Sequence, residues 1–289
     1  MTGRALVVRG LGGPVLVQDL GRPGHAAVGV GRSGAADRAA YLLGNRAVGN
    51  RAGAASLEVT LGGLEVEVVG GPLWCCLTGA PAAVEVDDRL HPAGAVVAVR
   101  HRLRIGTPPR GLRCYLAVRG GIDAGGVLGS RSRDSLAGLG PAPLAEGDVV
   151  AVGDEAGTGE AGWPRLDAVP VAALGGTPVL RVVPGPRADL IAEPDRLVTG
   201  EWRASAHTDR VGTRLEGGPP LLHRDPERQL PSEGALRGAL QVPPSGEPVL
   251  FGPDHPVTGG YPVVGVVVDA DVDRAAQLRP GDPVVFRWA

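Results

Sequence analysis

The chemistry-bearing residues of this 289-residue chain cluster in glycine-broken loops. In the stretch from Leu230 to Gly265, Asp254, His255, Thr258 and Tyr261 crowd around Gly259-Gly260, just past an apolar segment ending at Phe251. A glycine pair lets backbone approach a ligand and turns N–H groups toward anions. Glu233 and Gln241 lie in the same stretch. A second group, Gln18, Asp19 and Arg22, sits in a loop broken by Gly21, Pro23 and Gly24. A third follows Gly120-Gly121 and holds Asp123, Ser130, Arg131, Ser132, Arg133 and Asp134. Hydroxyls, arginines and glycines in that mixture suit a carboxylate or phosphoryl ligand. An Arg–Asp network that only fixes a loop has the same composition, and a plain hairpin loop would explain the first group. Further on, Asp209-Arg210 reads as an ion pair on a loop.

One absence restricts the chemistry. The chain has no lysine, so its 29 basic residues other than histidine are all arginine. That excludes a Walker-type phosphate loop, which needs its lysine, and Schiff-base catalysis. Biotin, carried on lysine, cannot be attached to this polypeptide. A bound anion must be held by arginine forks and backbone N–H groups. The net charge of −2 and an aromatic content of 3% argue against nucleic acid as a partner. No apolar run approaches the ~20 residues of a membrane span, and the N-terminus lacks the apolar core of a signal peptide. Cys75, Cys76 and Cys114 show no ligand spacing and read as buried thiols of a cytoplasmic protein, with the adjacent pair on opposite faces of a strand.

The elements that position these loops read as short strands. Apolar–polar alternation marks 5–9, 15–17, two strands within 56–69 joined at Gly62-Gly63, then 73–78, 83–87, 95–99 and 113–118. Glu58, between Leu57 and Val59, reads as a solvated glutamate on an outer face. Ala39, Leu42, Leu43 and Ala47 recur at helical spacing, with Ser33 or Ala36-Asp37 at the helix start as the cap. In the second half, strands at 179–183, around Leu240–Val242 and Val249–Phe251, at 263–268 and at the C-terminus alternate with Pro-Gly turns, and Asp271 reads as the cap of a helix running to Leu278. Residues 154–178, rich in Gly, Ala and Pro, read as a linker. The expectation is a mostly β chain of two similar β subdomains, 1–153 and 179–289, with a few short helices.

Taken together, VQDLGRPG (17–24), SGAADRAAYLLGNRAVGN (33–50), LEVTLGG (57–63), the 115–134 segment, VVPGPRAD (182–189), DRVGTRLEG (209–217), the 230–251 segment and DHPVTGGYP (254–262) resemble the family of 5-oxoprolinase C-type subunits. This family is also described as KipA-like, or as the allophanate-hydrolase-subunit-2 type of biotin-dependent carboxyltransferase. The resemblance implies two cyclophilin-like β-barrel subdomains. It implies a hetero-oligomer in which the partner is a KipI-like B-type subunit. An A-type subunit, in turn, completes ATP-dependent opening of 5-oxo-L-proline to L-glutamate. Alternatives within the family are the carboxyltransferase half of a urea carboxylase, with biotin from another domain, and a regulatory KipA-like antagonist of a histidine-kinase inhibitor.

Under the lactam reading, ATP with Mg2+ is shared with the partner, and the substrate is a small molecule. Arg22, Arg131 and Arg210 become anion clamps, with Gln18, Asp19, Asp123 and Asp134 beside them. Gly120-Gly121 and Gly259-Gly260 offer N–H donors. Asp254 or Glu233 is the base or metal-side carboxylate, and Gln241, Thr258 and Tyr261 orient the substrate. Glu58 and Asp37 support the site or the fold. The chain departs from the family where Arg210-Val211-Gly212-Thr213-Arg214 replaces Arg-Met-Gly-Tyr-Arg, and at Val263, where many members carry a basic residue.

Overall fold

The computed structural model describes residues 3–154 and 166–289. Its contacts divide into two units. The first comprises residues 1–22, 37–133 and 138–174; the second comprises 23–36, 134–137 and 175–289. A segment of the expected linker, 155–165, lies outside the described residues. Beyond it, Asp167 and Val169 are hydrogen-bonded to Val96 and Gly94 of the first unit.

The first unit contains β1 (Ala5–Gly10), β2 (Val15–Gln18), α1 (Arg38–Ala47), β3 (Ser56–Thr60), β4 (Glu65–Val69), β5 (Leu73–Gly79), β6 (Val84–Val86), β7 (Arg89–His91), β8 (Val96–Val99), β9 (Arg102–Ile105), β10 (Arg113–Val118), β11 (Ile122–Asp123) and β12 (Val149–Val152). A seven-stranded sheet in the order β11-β12-β1-β4-β9-β6-β7 and a five-stranded sheet in the order β2-β3-β10-β5-β8 share one core. Alternation sets the inward face: Val66 and Val68 of β4, and Cys114, Leu116 and Val118 of β10, all enter that core. The glycine pair between β3 and β4 is obligatory. Gly62 and Gly63 hold φ of 73° and 77°, and a Cβ on Gly62 would lie 2.1 Å from the Gly106 carbonyl oxygen.

Helix α1 packs on β5 and β10, so the five-stranded sheet is buried on both faces. That corrects the reading of Glu58. It is 1% exposed, accepts a 2.8 Å hydrogen bond from Tyr115 Oη, and faces Arg113. The alternation in β3 locates the face but cannot show that a helix covers it. Burial, with Glu58 and Asp37 nearby, pushes the Tyr115 hydroxyl well above its ordinary range, so it stays protonated. Cys75 and Cys76 do fall on opposite faces, one in the main core and the other under α1. Burial raises both thiols, Cys76 to about 12.

The second unit contains β13 (Val179–Pro184), α2 (Arg196–Thr199), β14 (Trp202–Ala204), β15 (Gly212–Glu216), β16 (Glu233–Gly234), β17 (Ala239–Gln241), β18 (Val249–Phe251), β19 (Thr258–Gly259), β20 (Val263–Val267), α3 (Asp269–Ala275) and β21 (Pro283–Trp288). Seven strands close into a barrel in the order β13-β20-β17-β18-β15-β14-β21, sealed by the parallel β13–β21 pair. Its core includes Trp202, Leu180, Val182, Leu240, Leu250 and Phe286. The ribbon of β16 and β19 stands apart from the barrel ladder.

Asp271 does not cap α3, whose N-cap residue is Val268 and whose last residue is Ala275. Its buried carboxylate takes Arg181 Nε at 2.8 Å. That hydrogen bond is the main reason its pKa lies below the ordinary value. The mostly β expectation, with few helices, is met, and the second unit closes into a barrel. No helix among the described residues is long and apolar enough to cross a membrane.

Asp37 is the N-cap of α1: its side chain accepts from Ala40 N at 2.9 Å. Replacing such a cap with Ala costs about 1 kcal/mol. Asp37→Ala is expected to lower the unfolding free energy from urea melts by that amount, and the midpoint with it, with Asp37→Asn recovering most of it. An unchanged midpoint in Asp37→Ala would show that α1 is held by packing alone.

Candidate functional site

In the first unit, the predicted residues Gln18, Asp19, Arg22 and Arg131 do come together, but around an internal charge. Asp19, 6% exposed, accepts from Gly21 N, Ser130 Oγ, Ser132 Oγ and Arg131 N at 2.6–2.7 Å. Gln18 donates to the Arg133 carbonyl at 2.8 Å. Arg22 is 1% exposed and donates to the carbonyls of Val127 and Ser132. Arg131 donates through Nε to the Ala124 carbonyl and lies 3.5 Å from Asp123. Ser130 and Ser132, of the same candidate loop, complete the cage. Arg22 is therefore a loop brace, not a clamp for an external anion.

The Gly120-Gly121 expectation is corrected on the same ground. Gly120 N donates to Asn50 Oδ1 and Gly121 N to the Val118 carbonyl, both at 2.9 Å. These amides are spent on the chain itself. Their glycines answer a steric need, since a Cβ on Gly120 would lie 2.1 Å from the Gly153 carbonyl oxygen.

In the second unit, Asp254 and Arg210 are the buried pair that the sequence reading divided. Arg210 does not pair with Asp209, whose carboxylate instead accepts from Val211 N and Gly212 N. Its Nε reaches Asp254 Oδ2 at 2.8 Å, its Nη2 reaches Oδ1 at 3.1 Å, and Nη2 also donates to the Gly34 carbonyl at 2.6 Å. Ser33 Oγ and the Ser135 hydroxyl and amide complete the shell of Asp254. Burial alone would raise this carboxyl, but Arg210, Ser33 and Ser135 outweigh it and the pKa falls below the ordinary 3.8. A carboxylate so saturated is neither a proton acceptor near neutral pH nor a metal ligand. Asp134, also buried, closes a turn by accepting from Leu136 N and Ala137 N.

The remaining predicted residues gather at one end of the barrel. The β16–β19 ribbon pairs Glu233 with Gly259 and Gly234 with Thr258. Gln241 on β17 is in register with Val263 on β20, and its Nε2 donates to the Tyr261 carbonyl at 3.2 Å. The Gln241 amide lies so close to Gly259 that a Cβ there would sit 2.5 Å from Nε2. Thr258, Gly260 and Tyr261 are exposed, Tyr261 by 48%.

Sequence reasoning missed Arg187. Its amide donates to the Val263 carbonyl at 3.2 Å, and its Nε straddles both Glu233 oxygens at 3.0 and 3.1 Å. The VVPGPRAD motif carried that signal, because turn residues leading to an arginine place a guanidinium beside the strand end. The Arg187 hydrogen bond holds Glu233 below its ordinary pKa, so Glu233 is an ionised partner rather than a base poised near neutrality.

An ATP–Mg2+ site does not fit these residues. Arg22 and Arg210 already serve internal acceptors, the Gly120-Gly121 amides are engaged, and no lysine exists to replace them. Among the described residues no group of three or more His, Cys, Asp or Glu is arranged to hold a metal ion.

Removing one member of a buried pair costs about 3–5 kcal/mol, and Asp254→Ala is expected to destabilise the protein by that order. Because folding lowers the Asp254 pKa, its contribution is complete above the ordinary 3.8 and fades as pH falls from there through the depressed value. Urea midpoints from pH 7 to pH 2 should show a fall below pH 4 that is shallower in Asp254→Asn. Equal slopes would remove Asp254 as its source.

The carboxyltransferase domain, subdomain A and B, family model matches residues 28–288. The chain is 36% identical to the 5-oxoprolinase C-type subunit of Escherichia coli strain K12, covering 93% of this chain and 86% of that protein. A crystal structure of TTHA0988 matches with a TM-score of 0.86 and 32% identity, covering 99% of this chain and 56% of that one. The urea carboxylase of Kluyveromyces lactis matches with a TM-score of 0.89 and 27% identity over 100% of this chain and 28% of its own. The chain thus spans little more than half of TTHA0988. With a family match from Val28 to Trp288, it belongs to the carboxyltransferase domain, subdomain A and B, family.

Proposed function

We propose that this chain is the C-type subunit of an ATP-dependent 5-oxoprolinase. It opens 5-oxo-L-proline to L-glutamate together with two further subunits, one KipI-like and of B type, the other of A type. The observation that carries the reading is coverage: the alignment takes in 93% of this chain and 86% of the E. coli C-type subunit. The match is therefore to a subunit of similar extent. The urea carboxylase reading, in which biotin arrives from another polypeptide, is favoured by the TM-score of 0.89 over the whole chain. There, however, the matched region is only 28% of a much longer protein.

The division of labour follows from the site. Opening a resonance-stabilised lactam requires activation of its carbonyl, a nucleophilic water and a base. This chain offers a polar barrel end formed by Arg187, Glu233, Gln241 and Tyr261, and its acid there, Glu233, is held ionised by arginine. Its share is to bind and orient the small molecule, while ATP and Mg2+ belong with partner subunits. Three buried thiols that form no disulfide suit the cytoplasm as the site of action.

The test is ATP-dependent consumption of 5-oxo-L-proline, measured for this chain alone, with its KipI-like neighbour, and with both partners. Activity is expected only in the assembled complex. Full turnover by the isolated chain would overturn the shared site. Carboxylation of urea with biotin-bearing partners, with 5-oxo-L-proline inert, would establish the second reading.

A further inference from the structure

Arginine carries five N–H donors on two usable edges. In Arg187 the edge formed by Nε and Nη2 is closed by Glu233. The other edge, Nη1 with the second Nη2 proton, meets no acceptor among the described residues. The side chain is 41% exposed. A guanidinium fixed along one edge and open along the other is a preorganised carboxylate receptor, because its orientation is set before the ligand arrives.

Gln241 supplies a second point. Its Nε2 is identified by chemistry, since only the amide nitrogen can donate to the Tyr261 carbonyl. Oε1 is then the other atom. It has no partner among the described residues, yet it is not sealed from solvent, although the residue as a whole is 8% exposed. A buried side chain showing one free acceptor to the outside is poised for an N–H donor.

The two points lie on either side of Val263. Arg187 N binds the Val263 carbonyl, and Gln241 is the register partner of Val263 on the next strand. At ~4.8 Å per strand spacing, the two backbones are roughly 10 Å apart. Both side chains also meet the β16–β19 ribbon, Arg187 at Glu233 and Gln241 at Gly259, two residues paired within it.

We infer that Arg187 and Gln241 form a two-point receptor for a small carboxylate that also carries an amide N–H. The carboxylate takes the open edge of Arg187, the N–H donates to Gln241 Oε1, and Glu233 is a positioning residue. This deepens the lactam reading of the same barrel end, naming the contacts that select a five-membered lactam acid over a neutral amide such as urea.

The experiment uses the assembled complex and measures KM for 5-oxo-L-proline and for 2-pyrrolidinone, the same ring without its carboxylate. Charge-assisted hydrogen bonds contribute about 1.5–3 kcal/mol, so Arg187→Ala should raise the KM for 5-oxo-L-proline roughly 10- to 100-fold. Its preference over 2-pyrrolidinone should collapse. Arg187→Lys should recover only part of it, and Glu233→Gln should raise KM less than Arg187→Ala. Gln241→Leu should weaken both ligands equally, since both carry the N–H. Folding of each variant is checked by its thermal midpoint.

Turnover by the wild type with KM unmoved in Arg187→Ala would overturn the receptor and leave the lactam reading intact. If the wild-type complex turns over no lactam, saturation-transfer NMR of 5-oxo-L-proline with the chain decides. Binding lost in Arg187→Ala keeps the receptor while the hydrolytic reading falls. No binding, or binding indifferent to Arg187, removes the receptor.

Discussion

The second unit is assembled from three separate stretches of chain, and one carboxylate joins them. Asp254 takes Ser33 from the 23–36 stretch, Ser135 from 134–137 and Arg210 from the main stretch. Arg210 in turn holds the Gly34 carbonyl. Neither excursion contributes a barrel strand, so strand pairing does not fix them. Their placement depends on charge-assisted hydrogen bonds inside the protein, where such bonds are strong when complete and costly when incomplete. Arg237 repeats the device: it binds the Ala36 carbonyl and pairs with Asp269 and Asp273 of α3.

The strands were legible because local signals sufficed. Alternation gave β4, the Gly62-Gly63 pair gave the β3–β4 turn, and Pro243 to Gly246 separated β17 from β18, with Gly246 at φ 81°. The short edge strand β7 and strand β9 of the same sheet escaped notice, being arginine-rich and only three or four residues long. What the sequence hid was partnership at long range. Arg210 looked like the mate of adjacent Asp209, yet it pairs with Asp254 across a separation of 44 residues. Glu58 looked solvated because α1, which covers it, begins and ends before β3 in the chain. The site divided the same way. Glu233, Gln241 and Gly259 share one stretch of sequence and meet at the β16–β19 ribbon, whereas Arg187 needed the β20 backbone to reveal its position.

An arginine-only basic complement fits this architecture. Lysine offers a mobile point charge, whereas the guanidinium fork can be locked along one edge and still bind along the other. The protein uses the fork in two ways. Arg22 and Arg210 are buried to tie loops to carbonyls and a carboxylate. Arg187 is tied by Glu233 but left half-exposed. Burial separates the bracing arginines from the one fitted to meet a ligand, although a sequence motif shows all three only as arginines near glycines.

The acids lead to the same division of roles. A general base works best with a pKa near the operating pH. Asp254 and Glu233, the two acids that sequence reasoning nominated, are both held below their ordinary values by arginine. Lowering a carboxyl makes it a better anchor and a poorer proton acceptor, so each environment that suits these residues to positioning unsuits them to proton abstraction. His255 differs from both: its ring is stacked on Phe251 and its Nδ1 donates to the Pro256 carbonyl, which leaves Nε2 as the acceptor of the neutral ring. A reaction that must deprotonate water therefore does not draw its base from these two acids.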